Sequence, residues 1–146
     1  MTKIVPKMKS VMTPFPYDIG LREPIGKARK MMMENHIHHL PVTDNHELKG
    51  IVSDRDIKLM LGPEFDYPDP KDVTVEEVMV DDPYVVDINT SLITVLDELA
   101  SRHIGTALIT KDGRLAGIFS TGDACREFSA RLKKDFGDPA GGTDAA

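Results

Sequence analysis

Gly50-Ile51-Val52-Ser53-Asp54-Arg55-Asp56 decides how the chain is read, because Gly117-Ile118-Phe119-Ser120-Thr121-Gly122-Asp123 repeats its pattern. Each stretch is a glycine, two apolar residues, a serine, two variable residues and an aspartate, and the offset is 117 − 50 = 67. Without a gap, the same offset pairs Val11 with Val78, Met12 with Met79, Pro16 with Pro83 and Tyr17 with Tyr84. It also pairs His36 with His103, Ile37 with Ile104 and Leu48 with Leu115. Constant spacing over roughly fifty residues marks an internal duplication, and two copies make a two-fold object instead of a solenoid.

Upstream of the first motif, Pro24 to Asn35 predicts a helix whose buried stripe is Ile25, Ala28 and Met32. Proline suits its first turn and Asn35 its C-terminal cap, and Met31-Met32-Met33 reads as core filler. Tyr17-Asp18-Ile19 is a candidate short strand. Ile37–Thr43 and Leu48–Ser53 predict a hairpin across the turn Asp44-Asn45-His46-Glu47. A short helix to Leu61 should bury Ile57, Met60 and Leu61 before Gly62-Pro63 stops it.

The second copy repeats this plan. Thr74-Val75-Glu76-Glu77 carries a capping box. A helix over Ser91–Arg102 should bury Leu92, Val95, Leu96 and Leu99. Strands follow at Ile104–Thr110 and Leu115–Ser120. A last helix over Thr121–Lys134 should bury Ala124, Phe128 and Leu132, with Cys125 as a small buried hydrophobe alongside. The expected organisation is therefore a first repeat over 1–62, a linker over 63–72, a second repeat over 73–134 and a disordered tail over 135–146. Each repeat reads strand, helix, strand, strand, helix. A three-stranded unit of that size leaves one sheet face uncovered, so the copies should pack on each other.

Composition bounds the function. The net charge of −6 and the absence of tryptophan argue against a nucleic-acid surface. No apolar run reaches the roughly twenty residues of a membrane span. The first residues lack a signal-peptide core, and a cytoplasmic location is expected. The single cysteine cannot close an intramolecular disulfide. Neither a nucleophile elbow nor a P-loop is present, so no enzyme is expected.

Two readings compete for the repeated motif. A serine followed three residues later by an acid, just before a helix, is a capping box that satisfies orphan backbone donors. A carboxylate beside a hydroxyl at a helix start also suits a nucleoside. It can accept from both ribose hydroxyls, while first-turn amides face a phosphate. Recurrence at both equivalent places favours the second reading. The histidines His36, His38, His39 and His46 are split between strand faces and lack a cysteine partner, so a metal site is not expected. At the equivalent helix ends, His36 and His103 complement the dipole.

The gapless pair of units, each with Gly-x-x-Ser-x-x-Asp, resembles a tandem pair of CBS domains, the Bateman module. Ser10-Val11-Met12-Thr13, Glu77-Val78-Met79-Val80 and His38-His39-Leu40-Pro41-Val42 support it. The resemblance covers about residues 5–134, leaves no room for a catalytic domain, and implies a free-standing α/β pair of β-α-β-β-α repeats with pseudo-two-fold symmetry. It implies an energy-sensing regulatory module that needs no cofactor. Its ligand would be an adenosine compound: AMP, ADP or ATP, with S-adenosylmethionine or NAD as further candidates. Ser53 and Asp56 would hold the ribose in one cleft, and Ser120 with Thr121 and Asp123 in the other. Ile51 and Ile118 would pack on the base. The resemblance assigns Val80, Pro83, Gly105 and Thr106 to the Asp56 cleft, and Thr13, Pro16, His38 and His39 to the Asp123 cleft. Arg55, His38 and His39 are the cations near Asp56, and Gly122, Gly105 and Thr106 are their uncharged counterparts. The Asp56 cleft should therefore prefer a phosphorylated ligand. A homodimer through helices near Ile25–Met32 and Leu92–Leu99 is expected, with a regulated enzyme or transporter as partner. The alternatives are a scaffold module whose motifs only cap helices, and a redox or metal sensor built on Cys125 and the histidines.

Overall fold

The computed structural model describes residues 4–64 and 66–137. The expected tail therefore lies outside the described residues beyond Gly137. The elements are α1 (Met8–Val11), β1 (Thr13–Pro14), β2 (Ile19–Gly20), α2 (Ile25–Glu34), β3 (His39–Asp44), β4 (Glu47–Ser53) and α3 (Asp54–Leu61). The second half supplies α4 (Val75–Val78), β5 (Val85–Asp87), α5 (Leu92–Arg102), β6 (Thr106–Lys111), β7 (Arg114–Ser120) and α6 (Thr121–Phe136).

The fold is mixed α/β with two repeats, and the 67-residue offset holds down to single hydrogen bonds. Asp54 N–H donates to the His38 carbonyl and Thr121 N–H to the Gly105 carbonyl, both at 3.0 Å. The β3–β4 bulge between Val42 and Thr43 recurs between Ile109 and Thr110 of β6–β7. Both hairpins turn through two left-handed residues, Asn45 and His46 in one, Asp112 and Gly113 in the other. That conformation matches the twist of the flanking strands. His36 and His103 also take positive φ, each just past the end of its helix, so they close helices as a left-handed cap residue does.

What the spacing does not reveal is that the halves exchange segments. β1 of the first repeat pairs antiparallel with β7 of the second, Thr13 opposite Ile118. Adding 67 gives the reciprocal crossing, and Val80 indeed bridges Ile51. One sheet therefore runs β1-β7-β6-β5 and the other β2-β3-β4. The short helices follow their strands. Met8 and Met12 are buried in the second repeat's core with Leu92, Val95 and Phe119. Val75, with Val73, is buried in the first repeat's core with Ile25, Leu40 and Ile57. Burying a methionine contributes about 1.5–3 kcal/mol, so each half stabilises the other.

These crossings explain the motif glycines. A Cβ on Gly50 would collide with the Val80 carbonyl oxygen, and one on Gly117 with the Met12 sulfur. The linker has a comparable role. Pro24 offers α2 no side-chain cap, so Ile25 N–H donates to the Val73 carbonyl at 2.9 Å and Gly26 N–H to Pro70 at 3.3 Å. These bonds satisfy donors that a helix start leaves orphaned.

Several expected positions shift. The strand expected at Tyr17–Ile19 is β2, over Ile19–Gly20. Ile25, Ala28 and Met32 form the buried stripe, whereas Met33 is exposed. Met60, Leu96, Phe128 and Leu132 are exposed, Phe128 by 66%. Cys125 is exposed as well. Periodicity finds the apolar side of a helix, but α6 spans 16 residues, and a helix of that length reaches about 24 Å. Phe128, Leu132 and Phe136 on its later turns are left exposed.

Candidate functional site

Both serine–aspartate pairs form full capping boxes. Asp56 N–H donates to Ser53 Oγ at 3.1 Å, and Asp56 Oδ2 accepts from Ser53 N–H and Ser53 Oγ–H at 2.9 Å each. Ser120 and Asp123 reproduce the geometry at 3.2, 2.8 and 3.1 Å. Extended backbone at each serine turns β4 into α3 and β7 into α6 without a loop. Each carboxylate is thus fixed by the fold at a strand-to-helix corner. Capping occupies only one of its two oxygens, so a cap and a ribose anchor are compatible roles for the same residue.

The second oxygen separates the repeats. Asp56 is partly buried, and its Oδ1 accepts no hydrogen bond among the described residues. Asp123 is 9% exposed, and its Oδ1 is taken by Arg126 Nη2 from the next turn of α6. The position equivalent to Arg126 is Leu59, which is exposed and apolar. Comparing only positions 122, 105 and 106 with 55, 38 and 39 misses this cation. The i, i+3 spacing of Asp123 and Arg126 is the signal that finds it.

Strand register places the remaining candidates. Val80 and Ile51 exchange both backbone hydrogen bonds, at 3.0 and 2.8 Å, two residues from Ser53. Thr13 and Ile118 sit likewise beside Ser120. His39 lies opposite Ser53 and Thr106 opposite Ser120. His38 and His39 therefore belong with the first repeat's own serine, and Gly105 and Thr106 with the second's. Each hairpin thus carries its histidine or glycine position next to its own helix start. Arg55 and Thr121 are exposed on the first turns of α3 and α6. Pro83 is not beside Ser53: it lines a groove with Glu47, Leu48, Lys49 and Val85 at the other end of β4. Pro16 continues past Phe15, whose N–H donates to the Ala116 carbonyl, and so leads away from Ser120.

Electrostatics at the first corner are set by two histidines. His38 Nδ1 lies 2.9 Å from Asp54 Oδ2. Partial burial pushes the Asp54 carboxyl up. The His38 hydrogen bond and charge, the Arg55 N–H and the Lys58 charge outweigh it and leave the carboxyl below the usual range. Burial lowers the His39 imidazole below its ordinary 6.5, with Asp54 and Asp56 pulling the other way and His38 adding to the lowering. Among the described residues no three His, Cys, Asp or Glu side chains converge as metal ligands, and no helix is long and apolar enough to cross a membrane.

Comparison with known proteins agrees with this architecture. The CBS domain family model matches twice, over residues 8–62 and 75–130. Hypoxic response protein 1 of Mycobacterium tuberculosis is 30% identical over 112 residues, 74% of this chain and 75% of that protein. A crystal structure of Hypoxic Response Protein I with two coordinated zinc ions superposes with a TM-score of 0.69 at 26% identity, covering 83% and 98% of the two chains. The CBS domain pair of protein MJ0100, in complex with 5′-methylthioadenosine and S-adenosyl-L-methionine, gives 0.77 at 22% identity over 88% and 99%. The fold is that of solved CBS domain pairs, and with both halves matching the CBS domain model the chain belongs to the CBS domain family.

Proposed function

We propose that the chain is a regulatory module that binds an adenosine compound at the Asp56 corner and transmits its occupancy to a partner enzyme or transporter. The observation that carries this reading is the open Oδ1 of Asp56, held in place by its cap, set against the Arg126-bound Oδ1 of Asp123. Ser53 and Asp56 receive the ribose diol, and Ile51 with Val80 packs on the base. Arg55 and the histidines His38 and His39 supply donors for phosphate, which favours AMP, ADP or ATP over an uncharged nucleoside. At the second corner Ser120, Thr121, Asp123, Ile118, Thr13, Gly105 and Thr106 hold a ligand only after the Arg126 pair opens. The adenosine compounds in the MJ0100 complex support the ligand class. The two zinc ions are those of the Hypoxic Response Protein I structure, and they add nothing to this reading.

A ligand that binds only the folded state raises the unfolding midpoint. A thermal-shift panel of AMP, ADP, ATP, NAD, S-adenosylmethionine and GTP should show stabilisation by adenine compounds that disappears in Asp56→Ala. No shift with any of them would leave the motifs as helix caps in a scaffold module.

The same reading makes the module a homodimer. Ile93 and Leu96 of α5 and Phe128 and Leu132 of α6 are exposed together on the second repeat. The positions matching Ile93 and Leu96 in the first repeat are Gly26 and Arg29. A self-complementary apolar face suits a two-fold interface. Sedimentation equilibrium should report a dimer that Phe128→Glu converts to monomer; an unchanged mass would place the interface elsewhere.

A further inference from the structure

Between α2 and α3 of the first repeat lies an open pocket of about 270 Å³ lined by Arg29, Met32, Met33, His36, Ile37, His38, Asp54 and Lys58. Its chemistry is divided. Met32 and Ile37 with the exposed Met33 supply apolar surface, while Arg29 and Lys58 bring permanent positive charge from the two helices. The one carboxylate, Asp54, lies 2.9 Å from His38 Nδ1 and also feels the Lys58 charge, so the two permanent cations leave the lining with a net positive charge. Shifted by 67, the lining becomes Leu96, Leu99, Ala100, His103, Ile104, Gly105, Thr121 and Cys125. The second repeat builds the same helix pair with neither permanent cation, so the fold does not require them.

This pocket shares His38 with the serine–aspartate corner but does not include Asp56. Asp54 and Lys58 are four residues apart and share a face of α3. Asp56 lies about 200° round the helix from Asp54 and is turned back onto Ser53. We infer that the pocket is an anion site for a small phosphate monoester with a short apolar group. Such a group carries close to two negative charges near neutral pH. Arg29 and Lys58 take the phosphate oxygens through charge-assisted hydrogen bonds, and His36 adds a ring N–H. The carbon chain lies on Met32, Met33 and Ile37. The site touches the first turn of α3 through the His38–Asp54 pair, one residue from the Ser53 cap. Its occupant therefore bears on the element that presents Asp56.

The test is methionine-methyl NMR on the full chain, with Met32 and Met33 assigned by Met32→Leu and Met33→Leu. Titration with n-butyl phosphate should shift both resonances saturably, inorganic phosphate should bind more weakly, and 1-butanol should give no saturable shift. Arg29→Gln combined with Lys58→Gln should weaken butyl phosphate by about tenfold or more, with the methyl spectrum otherwise that of the folded protein. Asp56→Ala should leave the titration intact. The assignment is overturned if butyl phosphate gives no saturable shift at Met32 and Met33, or if the double variant binds as tightly as the parent. Loss of the response in Asp56→Ala would also overturn it, by moving the anion to the serine–aspartate corner.

Discussion

The two serine–aspartate corners are built by one pattern and differ in what they leave open. At the first, the cap fixes Asp56 and its remaining oxygen accepts no hydrogen bond among the described residues. At the second, the same cap fixes Asp123 and Arg126 fills the remaining valence. A duplicated fold keeps its backbone because the crossing strands, bulges and caps depend on it, while a single side chain one turn along the helix can change what the corner binds. The Arg126 side chain is 74% exposed, and an ion pair with such a partner is worth about 0–1 kcal/mol. The pair is weak enough for a ligand to displace, yet it leaves the second corner at a disadvantage.

The crossings offer the largest expected difference between the halves. At Gly50 a new Cβ meets the Val80 backbone, which cannot step aside, whereas at Gly117 it meets the thioether of Met12. Methionine adapts its rotamers readily. Gly50→Ala should therefore cost about 3 kcal/mol and Gly117→Ala about 1 kcal/mol, read from urea unfolding midpoints. Equal losses would show that both crossings are rigid and that the halves are more alike than their contacts.

Arg126→Ala should come next. Removing the guanidinium frees Asp123 Oδ1 and should strengthen adenosine-compound binding at the second corner by up to about fivefold, as expected for a pair worth about 1 kcal/mol. A weakened second corner would instead make Arg126 a ligand-binding cation, giving the two repeats equivalent chemistry.

The hairpin turns give the smallest effect. Gly113 takes positive φ without strain, but His46 takes it with a side chain. His46→Gly should stabilise the protein by about 0.5–1 kcal/mol in the same unfolding assay. Destabilisation would mean that the imidazole contributes more than its backbone conformation costs.

The duplication, the order of elements and both caps are legible in the sequence because they rest on local chemistry at fixed spacing. Ser53 and Asp56 could be paired by counting three residues. The exchange of α1 and α4 could not be seen this way: β1 is only two residues long, too short for a period, and its partner lies more than one hundred positions away. The same blindness to register hides that Pro83 lies beside Glu47 and Leu48, at the far end of β4 from Ser53. Helical spacing located the apolar side of α5 and α6, but it cannot say whether the sheet covers each turn, so Leu96 and Phe128 looked buried. Arg126 was readable as an i+3 partner of Asp123. It lies outside the seven-residue motif, one turn further along α6, where Leu59 is its counterpart.

The most direct test is calorimetric titration of AMP and ATP into the parent chain, Asp56→Ala and Asp123→Ala. The expected result is that Asp56→Ala loses at least about thirtyfold in affinity, the equivalent of about 2 kcal/mol for a charged hydrogen-bond partner, while Asp123→Ala stays within about twofold. Equal losses in the two variants, or binding that survives Asp56→Ala, would contradict the claim that the first corner is the nucleotide site.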